Sequence, residues 1–218
     1  MTDPKRSLDA IFDADRALRQ AEAQLLASGK QGLVRALVGA VAEAKELGAR
    51  NPSEAAMRLE RLADLCAQVP GPEMTDALID IMDYDEPPVR IAAGEALLDV
   101  AYEYYAEVAR GIERALDAGR RGLAMCELPH VLAEVGEPSA MALMKRFLDT
   151  DDAEIIAATI EAFVTLDDPA AVPFIERFSD DERTVAFDEA DEETGATLGE
   201  LAQEAAAALG ADDDELDD

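Results

Sequence analysis

The chain has 218 residues, 49% hydrophobic and 31% charged, a globular composition and not a disordered one. Its 49 acidic and 19 basic residues give a net charge of −30, which argues against nucleic-acid binding, because phosphate neutralisation needs a field of Lys and Arg. Two cysteines, one histidine and no tryptophan exclude a disulfide framework and a multi-histidine metal centre.

Residues 1–15 carry acids at 3, 9, 13 and 15 and no apolar core, so they do not read as a signal peptide. The longest uncharged run, Leu65–Pro72, is eight residues, far short of a membrane span. These features predict a soluble, reduced, cytoplasmic protein.

Helical periodicity then runs along nearly the whole chain. Leu8, Ile11, Ala14, Leu18, Ala21 and Leu25 recur at three-to-four spacing and mark a long amphipathic helix that Gly29 ends. Leu33, Val34, Leu37, Val38, Val41 and Leu47 form the next stripe, closed by Gly48. Asn51-Pro52-Ser53-Glu54 reads as a helix start, with Asn51 able to accept from free N–H groups and Pro52 suited to the first turn. Pro70-Gly71-Pro72 breaks the chain. Shorter helices are predicted over 73–83, 87–102, 104–118, 122–135, 138–149, 153–166 and 169–179. Their connectors are short, so neighbours pack antiparallel. Residues 180–196 read as an acidic loop in which Thr184–Phe187 suits a brief extended piece. A last helix, 197–209, precedes a tail at 210–218 that is too acidic to pack and is expected to be disordered.

The charge is uneven. Residues 149–218 hold 24 acids against two bases, Arg177 and Arg183. A salt-adapted surface is also acidic and lysine-poor, and here Lys is 4 against Arg 15. Such a surface is acidic along its whole length, whereas this excess sits in the last third.

The strongest signal is internal similarity. Ile81-Met82-Asp83-Tyr84-Asp85-Glu86-Pro87-Pro88-Val89 aligns without a gap on Phe147-Leu148-Asp149-Thr150-Asp151-Asp152-Ala153-Glu154-Ile155, at a spacing of 66. Ala92, Glu95, Ala96, Leu97 and Leu98 continue against Ala158, Glu161, Ala162, Phe163 and Val164. A weaker copy lies between them, at Leu116-Asp117, Leu123 and Val131-Leu132, so the unit is about half that spacing.

Met82-Asp83, Val89-Arg90, Ala92-Ala93 and Ala96-Leu97 resemble a HEAT-like repeat in its short bacterial form, the repeat also used by phycobilin lyases. The resemblance is clearest over 73–102 and 138–180 and extends over 31–72 and 104–136. It implies a hydrogen-bond ladder between successive repeats, in which Asp83 and Arg90 take the family's roles. Asp149 matches the Asp position, but Ile156 stands where its Arg is expected. Asp117 likewise meets Ala124. The fold the resemblance implies is all-α: a right-handed α-solenoid of about five antiparallel helical hairpins over 31–209, with residues 1–30 as an N-terminal capping helix. Stacking is required because no single pair buries its apolar face alone.

Cys126 and His130 share a helix face at i,i+4, and with Cys66 they could offer zinc three ligands or form a thiol–imidazole dyad. Cys126 falls at a small buried position of the repeat and Pro129 disturbs the helix between the two, so a structural role is the stronger reading. Asp149-Thr150-Asp151-Asp152 opens like a calcium loop, but Ala153, Glu154 and Ile160 occupy positions where that loop needs an oxygen ligand, Gly and Glu. It reads better as a turn with acids at a helix N-terminus. Di-iron hydroxylases of the resembled architecture need several His–Glu pairs, and its DNA glycosylases need a basic face with aromatic stacking groups. Neither is present, and the likeness to phycobilin lyases stays at the level of the repeat. No catalytic residue, metal or cofactor is therefore expected.

Tyr102, Tyr104 and Tyr105 close one helix, and Arg110, Arg114, Arg120 and Arg121 follow; Tyr and Arg are common binding anchors. The alternative places Tyr104 in the core and pairs the arginines with nearby acids. The expected function is protein binding by a small adaptor or scaffold. Tyr102, Tyr105, Arg110, Arg114, Arg120 and Arg121 would hold the partner, Glu95, Asp99 and Glu161 would lie on the open face, and the acids of 149–218 would speed encounter. The alternative function is an acidic antagonist of a basic protein, such as an immunity-type inhibitor of a nuclease toxin; a lyase or glycosylase is the remaining class. A continuous acidic groove favours the antagonist, a mixed groove the adaptor.

Overall fold

Prolines and side-chain caps set most of the helix starts. Helices α1 (Pro4–Leu26), α3 (Pro52–Ala67), α4 (Pro72–Met82) and α5 (Pro87–Asp117) each begin on proline, whose missing N–H costs nothing in the first turn. Asn51 accepts a hydrogen bond from the Glu54 N–H at 3.3 Å, as the sequence predicts. The remaining helices are α2 (Lys30–Gly48), α6 (Leu123–Val135), α7 (Ala140–Phe147), α8 (Ala153–Leu166), α9 (Val172–Ile175) and α10 (Leu198–Gly210). At α10, Thr197 and Glu200 form a reciprocal capping box: the Thr197 N–H donates to Glu200 Oε2 at 2.8 Å, and the Glu200 N–H to Thr197 Oγ1 at 3.1 Å.

The computed structural model describes residues 3–185 and 195–210. Among these the protein is all-α apart from one antiparallel two-residue ladder, β1 (Thr184–Val185) with β2 (Ala196–Thr197). No described helix is long and apolar enough to cross a membrane. The stretch 186–194 of the acidic loop and the tail 211–218 lie outside the described residues.

Three boundaries differ from expectation. The helices predicted over 87–102 and 104–118 are one hydrogen-bonded run, Pro87–Asp117, bent where Tyr104 leaves helical geometry (φ −133°, ψ 44°). The helix predicted over 138–149 is shorter, Ala140–Phe147. The one predicted over 169–179 is α9 flanked by two 3₁₀ turns, because Pro173 lacks the N–H that a continuous helix would donate to the Pro169 carbonyl at i−4.

The core is one cluster running from Leu33 of α2 to Leu209 of α10. Helix α3 packs on α2 and α5, α4 on α5, α6 on α5 and α8, and α8 on α10. Large buried groups such as Leu59, Leu78, Met82, Leu97, Leu128, Phe147 and Phe163 fill it, and small residues let helices approach. Gly111 of α5 is one such place: a Cβ there would collide with the Thr75 side chain of α4. Ala96 and Ala162, equivalent in the repeat, are buried, while Glu95 and Glu161 beside them are exposed. Helix α1 contributes no buried residue, and its terminal Leu25 and Leu26 pack against the cluster.

Candidate protein-binding face

The basic side chains are spent first on holding helices together. Asp83, at the end of α4, accepts from Arg120 Nε at 2.9 Å and Nη2 at 2.6 Å through one oxygen, and from the Ala124 N–H at 2.8 Å through the other. Gly122 (φ 111°) makes the approach possible, because a Cβ there would sit 3.0 Å from Asp83 Oδ1. Arg120 also donates to Asp80 at 3.0 Å, which in turn accepts from Lys45 of α2 at 2.8 Å. Burial works against the Arg120 charge, but Asp83 and Asp80 outweigh it and hold the guanidinium above its usual range. The pattern repeats along the chain. Arg114 donates to Asp76 at 2.6 Å, Arg146 to Asp117 at 2.6 Å, and Arg177 to Asp149 at 3.2 Å and to the Leu148 carbonyl at 2.6 Å. Arg121 pairs with Asp151, whose carboxyl is held below its usual range by that hydrogen bond.

The Asp–Arg bridges use different partners from those the resemblance implies. Asp83 meets Arg120, not Arg90. Arg90 lies 3.5 Å from Asp85 and 3.9 Å from Glu127. Asp149, left without an Arg by Ile156, finds Arg177, and Asp117 finds Arg146. Of the arginines expected to hold a partner, Arg114, Arg120 and Arg121 serve these bridges, and Arg110 pairs with Glu107 one turn away.

The tyrosines stand elsewhere. Tyr102 and Tyr104 are 58% and 46% exposed, so Tyr104 is not a core residue. Tyr105 is half-buried, with a buried hydroxyl that has no hydrogen-bond partner. Tyr102 and Tyr104 border a cleft of about 740 Å³ between α1, α3 and α5, together with Asp64, Glu95, Asp99 and Glu103. The one arginine in this cleft, Arg61, is neutralised by Glu22 and by Asp64 at 2.9 Å. Glu95, Asp99 and Glu103 have no ion-pair partner among the described residues. Their i, i+4, i+8 spacing aligns them along α5, with Tyr102 one turn from Asp99.

The acidity continues on the helices that follow. The Tyr102 hydroxyl reaches Glu134 of α6 at 3.5 Å. Helices α6, α8 and α10 contain no Lys or Arg, and present Glu127 and Glu134, Glu154 and Glu161, and Glu200 and Glu204. Glu161 and Glu204 flank a second cleft, of about 330 Å³, whose floor is Ile160, Val164 and Leu201. Asp64 and Glu103 have no counterpart among the residues expected from the sequence; the i, i+4, i+8 spacing of Glu95, Asp99 and Glu103 is the signal that identifies Glu103.

The cysteines are poor nucleophiles. Burial pushes Cys66 up to about 12. Burial, then the carboxylates of Asp152, Glu154, Glu127 and Asp83, push Cys126 up to about 12. Among the described residues no group of three or more His, Cys, Asp or Glu is arranged to hold a metal ion.

No protein-family model matches the chain, and no curated protein does. A solved structure of an engineered protein, 14% identical, aligns over 88% of this chain and 96% of its own at a TM-score of 0.37.

Proposed function

We propose that this chain is a non-enzymatic protein-binding module, a small cytoplasmic adaptor that takes a basic partner on the face carried by α5, α6, α8 and α10. The finer architecture that goes with it is a right-handed solenoid of about five HEAT-like hairpins, supported by the serial helix packing and the repeated Asp–Arg bridges. One observation carries the reading. Arg114, Arg120, Arg121, Arg146 and Arg177 are consumed in bridges between elements, while Glu95, Asp99 and Glu103 line an open cleft unpaired. A cationic surface would find there carboxylates already oriented by rigid helices and two tyrosines able to pack on Lys or Arg stems. The test is affinity capture from native extract with the wild type and with Glu95→Gln, Asp99→Asn, Glu103→Gln combined. The reading expects a basic partner that the triple variant loses. Identical capture by both forms, or an acidic partner, would overturn it.

A second reading, the acidic antagonist, is favoured by the lack of any base on α6, α8 and α10. It uses the same surface, and differs in predicting that the captured protein is an enzyme whose activity this chain blocks.

A further inference from the structure

We infer that two copies of this chain associate through α1 and the outer surface of α2. Among the described residues, Leu8, Ile11, Phe12 and Leu18 of α1 are 52%, 60%, 55% and 47% exposed, and Val38 of α2 is 43% exposed. No other described helix exposes as many large apolar side chains as α1, and exposed apolar groups gathered on one helix mark an interaction site. The stripe is ordered. Ile11, Ala14, Leu18 and Ala21 alternate in steps of three and four, the spacing of a two-stranded coiled-coil seam, on a helix of about 35 Å whose Leu25 turns in to the core.

Two features select a second copy as the occupant. The first is size. Large and small residues alternate along the seam, so an antiparallel copy sets Ile11 over Ala21 and Leu18 over Ala14, and each bulky group meets a small one. Asp15 and Glu22 flank the seam, and each already has its cation: Arg19 at 2.9 Å from Asp15, and Arg61 for Glu22.

The second feature is charge. Residues 1–50 hold eight bases and seven acids, a net of +1, so the remaining 168 residues carry −31. Two molecules of net charge −30 repel, and residues 1–50 contribute least to that repulsion. Lys30 and Arg35, which have no ion-pair partner among the described residues, rim a shallow groove of about 490 Å³ floored by Val34 and Val38. They place unpaired positive charge at the end where the second copy approaches.

The inference is independent of the acidic face and responds oppositely to salt. Screening weakens binding of a cationic partner, but strengthens association of two like-charged copies through an apolar seam. The test is sedimentation equilibrium of the full chain from micromolar to sub-millimolar concentration, at low and high salt. The expected result is a mass approaching twice 23.3 kDa, with tighter association at high salt. Ile11→Asp with Leu18→Asp should return the monomer mass with an unchanged circular dichroism spectrum, because α1 has no buried residue. Arg35→Glu should weaken the dimer, because it adds negative charge at the end where two like-charged copies meet. A wild type that stays monomeric at every concentration and salt overturns the inference and leaves the acidic-face reading intact. So does a dimer that survives the double aspartate variant.

Discussion

Asp83 and Arg120, 37 positions apart, are joined by two hydrogen bonds of 2.9 and 2.6 Å between the end of α4 and the turn that follows α5. The same carboxylate also accepts the Ala124 N–H, in the first turn of α6, through its other oxygen. One side chain thus ties together three successive helices, and it is the structural counterpart of the Leu-Asp turn that recurs in the sequence.

Removing Arg120 leaves the half-buried Asp83 without a cation, and removing Asp83 leaves Arg120 with Asp80 alone and the Ala124 N–H without its acceptor. Arg120→Ala and Asp83→Ala should each lower stability by about 2–4 kcal/mol, and the double variant should cost less than the sum. Arg110→Ala, whose pairing with Glu107 is exposed and local, should change stability by less than about 0.5 kcal/mol. Urea unfolding followed by circular dichroism measures all four. Equal effects at Arg120 and Arg110 would contradict the ladder.

Neighbouring positions of the repeat should behave oppositely. Ala96→Asp places a carboxylate without a partner where α5 packs, at a cost of several kcal/mol, and Ala162→Asp should do the same in α8. Glu95→Ala and Glu161→Ala should be nearly neutral, because both acids are exposed. Thermal melts of the four variants check the helical phase, and equal melting of the Asp and Ala variants would shift it.

The thiols supply a pH dependence. An exposed thiol ionises near 9.0, whereas Cys66 and Cys126 hold their protons to about 12 in the folded chain. The unfolded state therefore loses protons first. The stability these residues contribute is complete below pH 9 and drains away as pH rises toward 12. Replacing both with Ala should flatten the fall in stability over that range. At neutral pH the native thiols should react slowly with a disulfide reagent and rapidly after unfolding.

Much of the helical framework was legible because its signals are local. Asn51-Pro52 and Pro70-Gly71-Pro72 announce helix boundaries within four residues, and the gapless match of Ala96 with Ala162 identifies the buried phase. The break between the predicted helices at Glu103 was also readable, although the backbone merely bends at Tyr104 and does not stop. The pairing of Arg120 with Asp83 was not, because it depends on how far one helix pair rotates over the next. Local spacing instead suggested that Arg110, Arg114, Arg120 and Arg121 form a patch with the tyrosines. Periodicity also showed that α1 has an apolar side, but a stripe states only that burial is favoured, not what covers it. Pro173 should have signalled that the segment after Asp168 is not one helix.

The central claim is that a basic partner is held by the carboxylates of the α5 cleft. The most direct measurement is the salt dependence of the association rate with the captured partner, compared between the wild type and the combined Glu95→Gln, Asp99→Asn, Glu103→Gln variant. The account predicts a wild-type rate that falls steeply as salt rises, and a variant that is slower at low salt and nearly insensitive to it. Superimposable salt profiles for the two proteins would contradict it.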